Sequence, residues 1–329
     1  MVADIFSDAQ EMSGALELGM SVRATTSPNP WVGCVVRTTE GERFLGATEP
    51  PGGPHAEAVA LSRAGAHARG ATVYVTLEPC AHFGRTPPCA DALIAAGVAR
   101  VVIGIADPDP KVNGTGADRL RAAGVEVVIL DDPAVKESLL PYLTHRSTGR
   151  PWVVLKLASS LDGKIAGPSG DSVWITGPEA RRDVHRLRSE SDAILVGAGT
   201  VRADNPRLDV REVEGRDPLR IVLGTISEGA NVLPALERSG PLEPILDELG
   251  ARGVLQLLVE GGAQVASTFH HAGLVNQYLI YLAPAIFGGD DAKSMFAGQG
   301  VQEMSKLWRG KIASVQPFGD DLRLDIRPQ

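Results

Sequence analysis

Two short stretches hold the residues best suited to chemistry. PGGPHAEAVALSRAG (51–65) carries His55 and Glu57, and LEPCAHFGRTPPC (77–89) carries Cys80 and Cys89. Zinc accepts nitrogen and sulfur ligands, and a site with three protein ligands leaves the fourth tetrahedral position for water, whose pKa falls to about 7. A carboxylate two residues from a ligand can take that proton and deliver it to a ring nitrogen and a leaving amine. H-x-E followed by P-C…C is the order found in zinc deaminases, where the glutamate is not a ligand. Two other readings stay open: a structural zinc site, for which His82 inside the cysteine loop is the nearest fourth ligand, or three unrelated residues with His55 capping a helix and the cysteines in a core. Cys34, inside an apolar strand, reads as a core residue.

These residues need a scaffold, and the flanking pattern predicts one. From residue 9 to about 145 helix-like and strand-like segments alternate, the signature of an α/β layered domain. Strands are expected at 31–37, 71–77, 100–106 and 125–130. Helices are expected at 9–19, 55–69, 88–96 and 115–123, with Gly70, Gly97 and Gly124 as stops. His55 and Glu57 then open one helix and Cys89 another, with Cys80 just after a strand, where an α/β sheet opens its ligand crevice. The polar stretch THRSTGRP (144–151) reads as a hinge before a fresh strand at 152–159, placing a boundary near residue 148. EGANVLPALERSGPLEP (228–244) reads as a long surface loop.

Bulk properties narrow the function classes. A chain of 329 residues suggests two domains, and three cysteines make a disulfide framework improbable. The net charge of -8 argues against nucleic acid as the main partner, while a local cluster of Arg and Lys would still suit a small anion. Asp4, Asp8 and Glu11 stand where a signal peptide needs a basic region, and no apolar run is long enough to cross a membrane, so a cytoplasmic protein is expected.

Eight residues separate Cys80 from Cys89, against two in generic nucleoside deaminases. With that insert the sequence resembles the bifunctional riboflavin-biosynthesis deaminase/reductase family (RibD/RibG type). The resemblance runs through TSPNPWVG (26–33), HAE (55–57), TLEPCAHFGRTPPC (76–89), ADPDP (106–110), KLASSLDGKIA (156–166), WITGPEARRD (174–183), ILVGAGTVRADNP (194–206) and LLVEGG (257–262). It implies a cytidine-deaminase-like three-layer α/β/α domain over 1–147 and a dihydrofolate-reductase-like α/β domain over 148–329. The first would deaminate a 2,5-diamino-6-(5-phosphoribosylamino)pyrimidinone, with His55, Cys80 and Cys89 holding Zn2+, Glu57 shuttling protons, and Asn29, His82 and Arg85 contacting substrate. The second would reduce the ribosyl group with NADPH.

No G-x-G-x-x-G follows a strand in the second half, so a Rossmann reading fails. VGAGT (196–200) and EGGAQ (260–264) instead put glycines between strand and helix, where backbone N–H groups can cradle a pyrophosphate. By resemblance the cofactor contacts Ala158, Trp174, Thr200, Asp204 and a loop from Gly262 to Thr268 that includes Ala263 and Gln264. Substrate contacts fall to Lys156, Ser172, Arg188, Leu208, Arg211 and Glu260. Lys156 and Glu260, near strand ends facing one crevice, are expected to act as a catalytic pair, a structural ion pair being the alternative. Arg181, His185 and Arg188 recur at i, i+4 and i+7 and share a helix face. The resemblance also implies a phosphorylated small-molecule substrate, a homo-oligomer (dimer or tetramer), and neither nucleic acid nor membrane as partner. Three positions depart from the family pattern: Asp109 in place of asparagine, Asn205 in place of a second acid, and Gly224 where an aspartate often ends the strand, ahead of a short segment to Val259. Two other outcomes remain: one active domain only, or a non-catalytic binder on a deaminase fold.

Overall fold

The computed structural model describes residues 2–81, 87–109, 112–171 and 174–329. The chain forms two compact units, Met1–Gly149 and Arg150–Gln329.

In the first unit the elements run α1 (Val2–Ser21), α2 (Arg23–Thr26), β1 (Gly33–Arg37), β2 (Arg43–Ala47), α3 (Ala56–Ala64), β3 (Thr72–Leu77), α4 (Cys89–Ala96), β4 (Arg100–Ile105), α5 (Thr115–Ala122), β5 (Glu126–Ile129), α6 (Pro133–Ser138) and α7 (Leu140–Thr148). Among the described residues the sheet has the order β2-β1-β3-β4-β5, with β1 antiparallel to its neighbours and β3, β4 and β5 parallel. Val73, Val75, Val101, Val102 and Ile103 are fully buried, as expected of parallel strands covered on both faces. Helices α3, α4 and α5 pack as a contiguous row, while α1 lies against β1 and β3.

The second unit contains β6 (Trp152–Ser160), β7 (Lys164–Ala166), α8 (Pro178–Ser189), β8 (Ala193–Gly197), α9 (Ala198–Asp204), β9 (Leu219–Leu223), β10 (Leu236–Arg238), α10 (Leu242–Ala251), β11 (Gln256–Val259), α11 (Ala263–His271), β12 (Gln277–Ala283), β13 (Lys293–Ser294), β14 (Gly310–Phe318) and β15 (Asp321–Pro328). Eight strands form one sheet, β10-β9-β8-β11-β6-β12-β15-β14, and β7 pairs with β13 separately. Alternate strand residues face opposite ways. Leu155, Leu195 and Leu257 meet α10 and α11 through Ile245, Leu249 and Phe269. Val154, Ile194 and Leu258 meet α8 and α9 through Val184, Leu187 and Val201.

Three expectations need correction. Residues 144–148 of the supposed hinge finish α7, and the chain turns only at Gly149, which takes the left-handed conformation that caps a helix C-terminus. The supposed long loop holds β10, and its Pro241 is the residue from which α10 starts. The Gly262–Thr268 segment is no loop: Gly262 caps α11, and the residues after it are helical. Strand β2 gave no clear signal because RFLGA is an edge strand with a largely exposed burial pattern.

Candidate functional site

In the first unit, β3 delivers Glu78, Pro79 and Cys80 to the edge where α3 and α4 begin. Residue His55 caps α3 in an extended conformation, and Cys89 is the first residue of α4. The donor atoms of His55, Cys80 and Cys89 all lie within 4.8 Å of one another. His55 Nδ1 is 3.8 Å from Cys80 Sγ and 3.3 Å from Cys89 Sγ, close to the roughly 3.5 Å that tetrahedral zinc bonds to nitrogen and sulfur require. The Cys89 thiol and the His55 ring, with the Cys89 backbone N–H, hold the Cys80 thiol well below the ordinary thiol range, so this pair readily supplies a thiolate. Glu57 is 4% exposed, and burial pushes its carboxyl above the ordinary range, a setting for a group that must both accept and return a proton.

Sequence reasoning missed the residue that organises this edge. Glu78 accepts hydrogen bonds from the backbone N–H groups of Asp107, Gly114, Gly116 and Ala117. It ties the loop after β4 and the first turn of α5 to the residue preceding Pro79-Cys80. The signal was present in TLEPC, but only the fold shows what a buried carboxylate there binds. Asn29 lies half-buried in the turn after α2, its N–H bonded to Thr26 O. His82 and Arg85 lie outside the described residues. The Asp109 carboxylate does not face the site as an uncompensated charge: Arg146 of α7 approaches it to 3.5 Å, and Asp107 accepts from Asp109 N and Tyr142 Oη.

In the second unit a cleft of about 1240 Å³ opens at the C-terminal ends of the parallel strands. Its walls include Lys156, Ala158, Trp174, Arg188, Thr200, Asp204, Leu208, Arg211, Glu260, Gly262, Ala263 and Gln264; Ala266 to Thr268 of the expected segment do not line it, and Ser172 lies outside the described residues. The pairing Val259↔Leu155 sets Glu260 beside Lys156, yet both Glu260 oxygens accept from Arg188, at 2.8 and 2.9 Å. The direct ion pair of Glu260 is therefore with Arg188, and Lys156 instead stands 5.8 Å from the Tyr281 ring centroid. Burial alone would push the Glu260 carboxyl up; Arg188 and Lys156 overcome it and hold it down to about 2. Burial, with Arg188 nearby, lowers Lys156, and burial followed by Arg188 lowers His185.

Arg181, His185 and Arg188 all line the cleft, as their spacing on α8 predicts, but they differ in role. His185 is buried against Arg211 N, Arg188 is committed to Glu260, and Arg181 lies 4.7 Å over the Trp174 ring. Leu208 holds a left-handed backbone (φ 54) although its side chain is buried, a local strain of the kind found at ligand clamps.

Comparison with known proteins bears on both units. Residues 7–105 match the cytidine and deoxycytidylate deaminase zinc-binding region, and residues 151–324 match the RibD C-terminal domain. Riboflavin biosynthesis protein RibD of Escherichia coli is 38% identical, covering 97% of this chain and 99% of that protein, and its counterpart in Mycobacterium tuberculosis is 42% identical over 99% and 98%. The chain belongs to the RibD family. The fold agrees: RibD of Acinetobacter baumannii superposes with a TM-score of 0.92 at 36% identity, covering 99% of this chain and all of that one. The Thermotoga maritima deaminase/reductase superposes with a TM-score of 0.87 at 36% identity, over 97% of each chain. The protein is thus a bifunctional riboflavin-biosynthesis enzyme with a zinc-dependent deaminase half and a reductase half.

The family's cofactors, Zn2+ in the deaminase half and NADPH in the reductase half, meet residues that suit them. One nitrogen and two sulfur donors at the separations above fit zinc and leave a coordination position open. In the reductase half a side chain at Gly199 would project into the open cleft, and one at Gly262 would crowd Thr200, so both glycines keep room for a ligand at the starts of α9 and α11. The remaining departures also have structural reasons. Asn205 caps α9 in the left-handed conformation that asparagine tolerates, and it binds Asn231 through both its side chain and its carbonyl. Gly224 has φ 108, and a Cβ there would lie 2.9 Å from that of Ala198, so this backbone excludes an aspartate. Sequence reasoning missed Lys293, Ser294, Phe296 and Ala297, which reach the cleft from β13 and the segment after it, because no local pattern links them to strands far away in sequence.

Proposed function

We propose that the first unit deaminates 2,5-diamino-6-(5-phosphoribosylamino)pyrimidin-4(3H)-one and that the second reduces the ribosyl group of the product to ribityl. The Thermotoga relative carries both activities in its name, as a diaminohydroxyphosphoribosylaminopyrimidine deaminase and a 5-amino-6-(5-phosphoribosylamino)uracil reductase. The observation that carries the first half is the buried Glu57 beside the His55, Cys80 and Cys89 cluster. Zn2+, when bound there, supplies the Lewis acidity that makes water nucleophilic near neutral pH. Glu57 accepts one proton of the water and passes it to the pyrimidine ring nitrogen, then accepts the remaining hydroxyl proton and delivers it to the amine, which leaves as ammonia while the oxygen stays on the ring carbon. Asn29, His82 and Arg85 orient the substrate.

In the second unit NADPH supplies the hydride. Lys156 and Glu260 stand over the ribosyl carbon and stabilise charge as its ring opens, while Arg188, Leu208, Arg211 and Ser172 contact the substrate. Ala158, Trp174, Thr200, Asp204, Gly262, Ala263 and Gln264 hold the cofactor. The protein acts in the cytoplasm on small molecules, without nucleic acid or membrane. It assembles as a homo-oligomer, which the edge strand β14 supports: it leaves Ile312 and Val315 exposed, with Met304 and Trp308 exposed just before it. Incubating purified protein with the diaminopyrimidinone phosphate, with and without NADPH, tests the reading. Ammonia release without NADPH and NADPH oxidation following it are expected; failure of either half-reaction would leave only one unit active.

A further inference from the structure

The reductase cleft takes ligands that carry phosphate, yet two of its arginines are already held by carboxylates: Arg188 by Glu260, and Arg211 by Asp209 at 2.5 Å. A cation neutralised in this way offers little net charge to a phosphate. Lys293 also lines the cleft, and it has neither an ion pair nor a hydrogen-bond partner among the described residues.

Its position is constrained although its side chain is exposed. β13 pairs with β7 outside the main sheet, and Lys164 Nζ donates to Ala292 O and Ser294 Oγ on either side of Lys293. Upstream, Asp162 accepts from the backbone N–H groups of Phe287 and Gly288. Downstream, Met295 N bonds Gly163 O, Ala297 N bonds Ala263 O, and Ser267 Oγ donates to Ala297 O. The segment 287–297 is thus a strap pinned at both ends, one of them the start of α11. The Lys293 ammonium sits over the turn closed by Gly170 N to Gly167 O. Gly170 has φ 89, and a Cβ there would lie 3.0 Å from Lys293 Nζ, so this glycine both permits the turn and leaves room for the ammonium.

We propose that Lys293 binds a phosphomonoester in the reductase cleft. That group occurs in two ligands, the 5-phosphoribosyl substrate and the 2′-phosphorylated ribose of NADPH, and an uncommitted ammonium on a pinned strap recognises it by charge and hydrogen bonding. The inference rests on the reading of this cleft as the reductase site.

Calorimetric titration of the full chain tests it with two probe pairs: ribose 5-phosphate against ribose, and adenosine 2′,5′-bisphosphate against AMP. Lys293→Gln is expected to weaken one phosphomonoester probe at least tenfold, to leave its partner lacking that phosphate unchanged, and to be largely rescued by Lys293→Arg. Loss confined to ribose 5-phosphate assigns the contact to substrate, and loss confined to the bisphosphate assigns it to cofactor. Equal affinity of wild type and Lys293→Gln for both phosphomonoesters overturns the inference while leaving the reductase reading intact. A wild-type protein that binds neither overturns the reductase reading and this inference with it.

Discussion

Glu57 and Glu260 are the two acidic side chains proposed to carry the chemistry, and burial acts on them in opposite contexts. Glu57, enclosed beside the His55 and cysteine cluster, is pushed by burial toward its neutral form, which suits a proton carrier. Glu57→Gln is expected to retain about one zinc per chain by metal analysis and to lose deamination by about 10²- to 10⁴-fold, because an amide cannot shuttle protons. Cys80→Ser and Cys89→Ser should each lose most of the zinc, since each removes one of three protein ligands; full retention in both would exclude this ligand set. Glu260, enclosed with Arg188 and Lys156, is held as the anion at about 2. Its carboxyl lies below the ordinary value of about 4.3, so the stability it contributes is complete above that value and is lost as pH falls toward 2. Glu260→Gln, which strands the Arg188 charge, should cost the second unit about 3 kcal/mol at pH 7. The urea midpoints of wild type and variant should converge as pH drops from 5 to 3; a constant gap would show that the pair contributes no charge-dependent stability.

At the scale of elements, the metal centre depends on how β3 ends. Glu78 gathers four backbone N–H groups from the loop after β4 and the start of α5, and the next two residues lead to the metal ligand Cys80. Hydrogen bonds to an ionised acceptor contribute roughly 1.5–3 kcal/mol each, and an amide would turn donors toward donors. Glu78→Gln should therefore lower the stability of the first unit by about 3 kcal/mol in denaturant titration and reduce zinc content, although Glu78 is not a ligand. Unchanged zinc content would mean that the cysteine segment is positioned independently of this hub. The pairing of Asp109 with Arg146 shows the same dependence on distant elements, because it brings a residue of α7 to the loop after β4.

At the scale of the molecule, each unit encloses its own set of chemical groups, so the two half-reactions should separate by mutation. Lys156→Ala is expected to cut NADPH oxidation by about two orders of magnitude while leaving ammonia release intact, and Glu57→Gln should do the converse when deaminated substrate is supplied. Parallel loss of both activities in either variant would contradict this separation. The cluster of His55, Cys80 and Cys89 and the deaminase order were legible in the sequence because these residues sit at helix starts and strand ends with short, ordered spacings. The alternation of strands and helices was legible for the same reason, since burial on both faces leaves continuous apolar runs. Tertiary structure alone decided which charges neutralise each other. Glu260 could be paired with Lys156 on paper, but α8 lays Arg188 across both of its oxygens. It also decided that residues of β13, more than 120 positions from β7 in the chain, join the cleft, because strand pairing follows packing and hydrogen bonding in space and leaves no periodic mark on so short a segment.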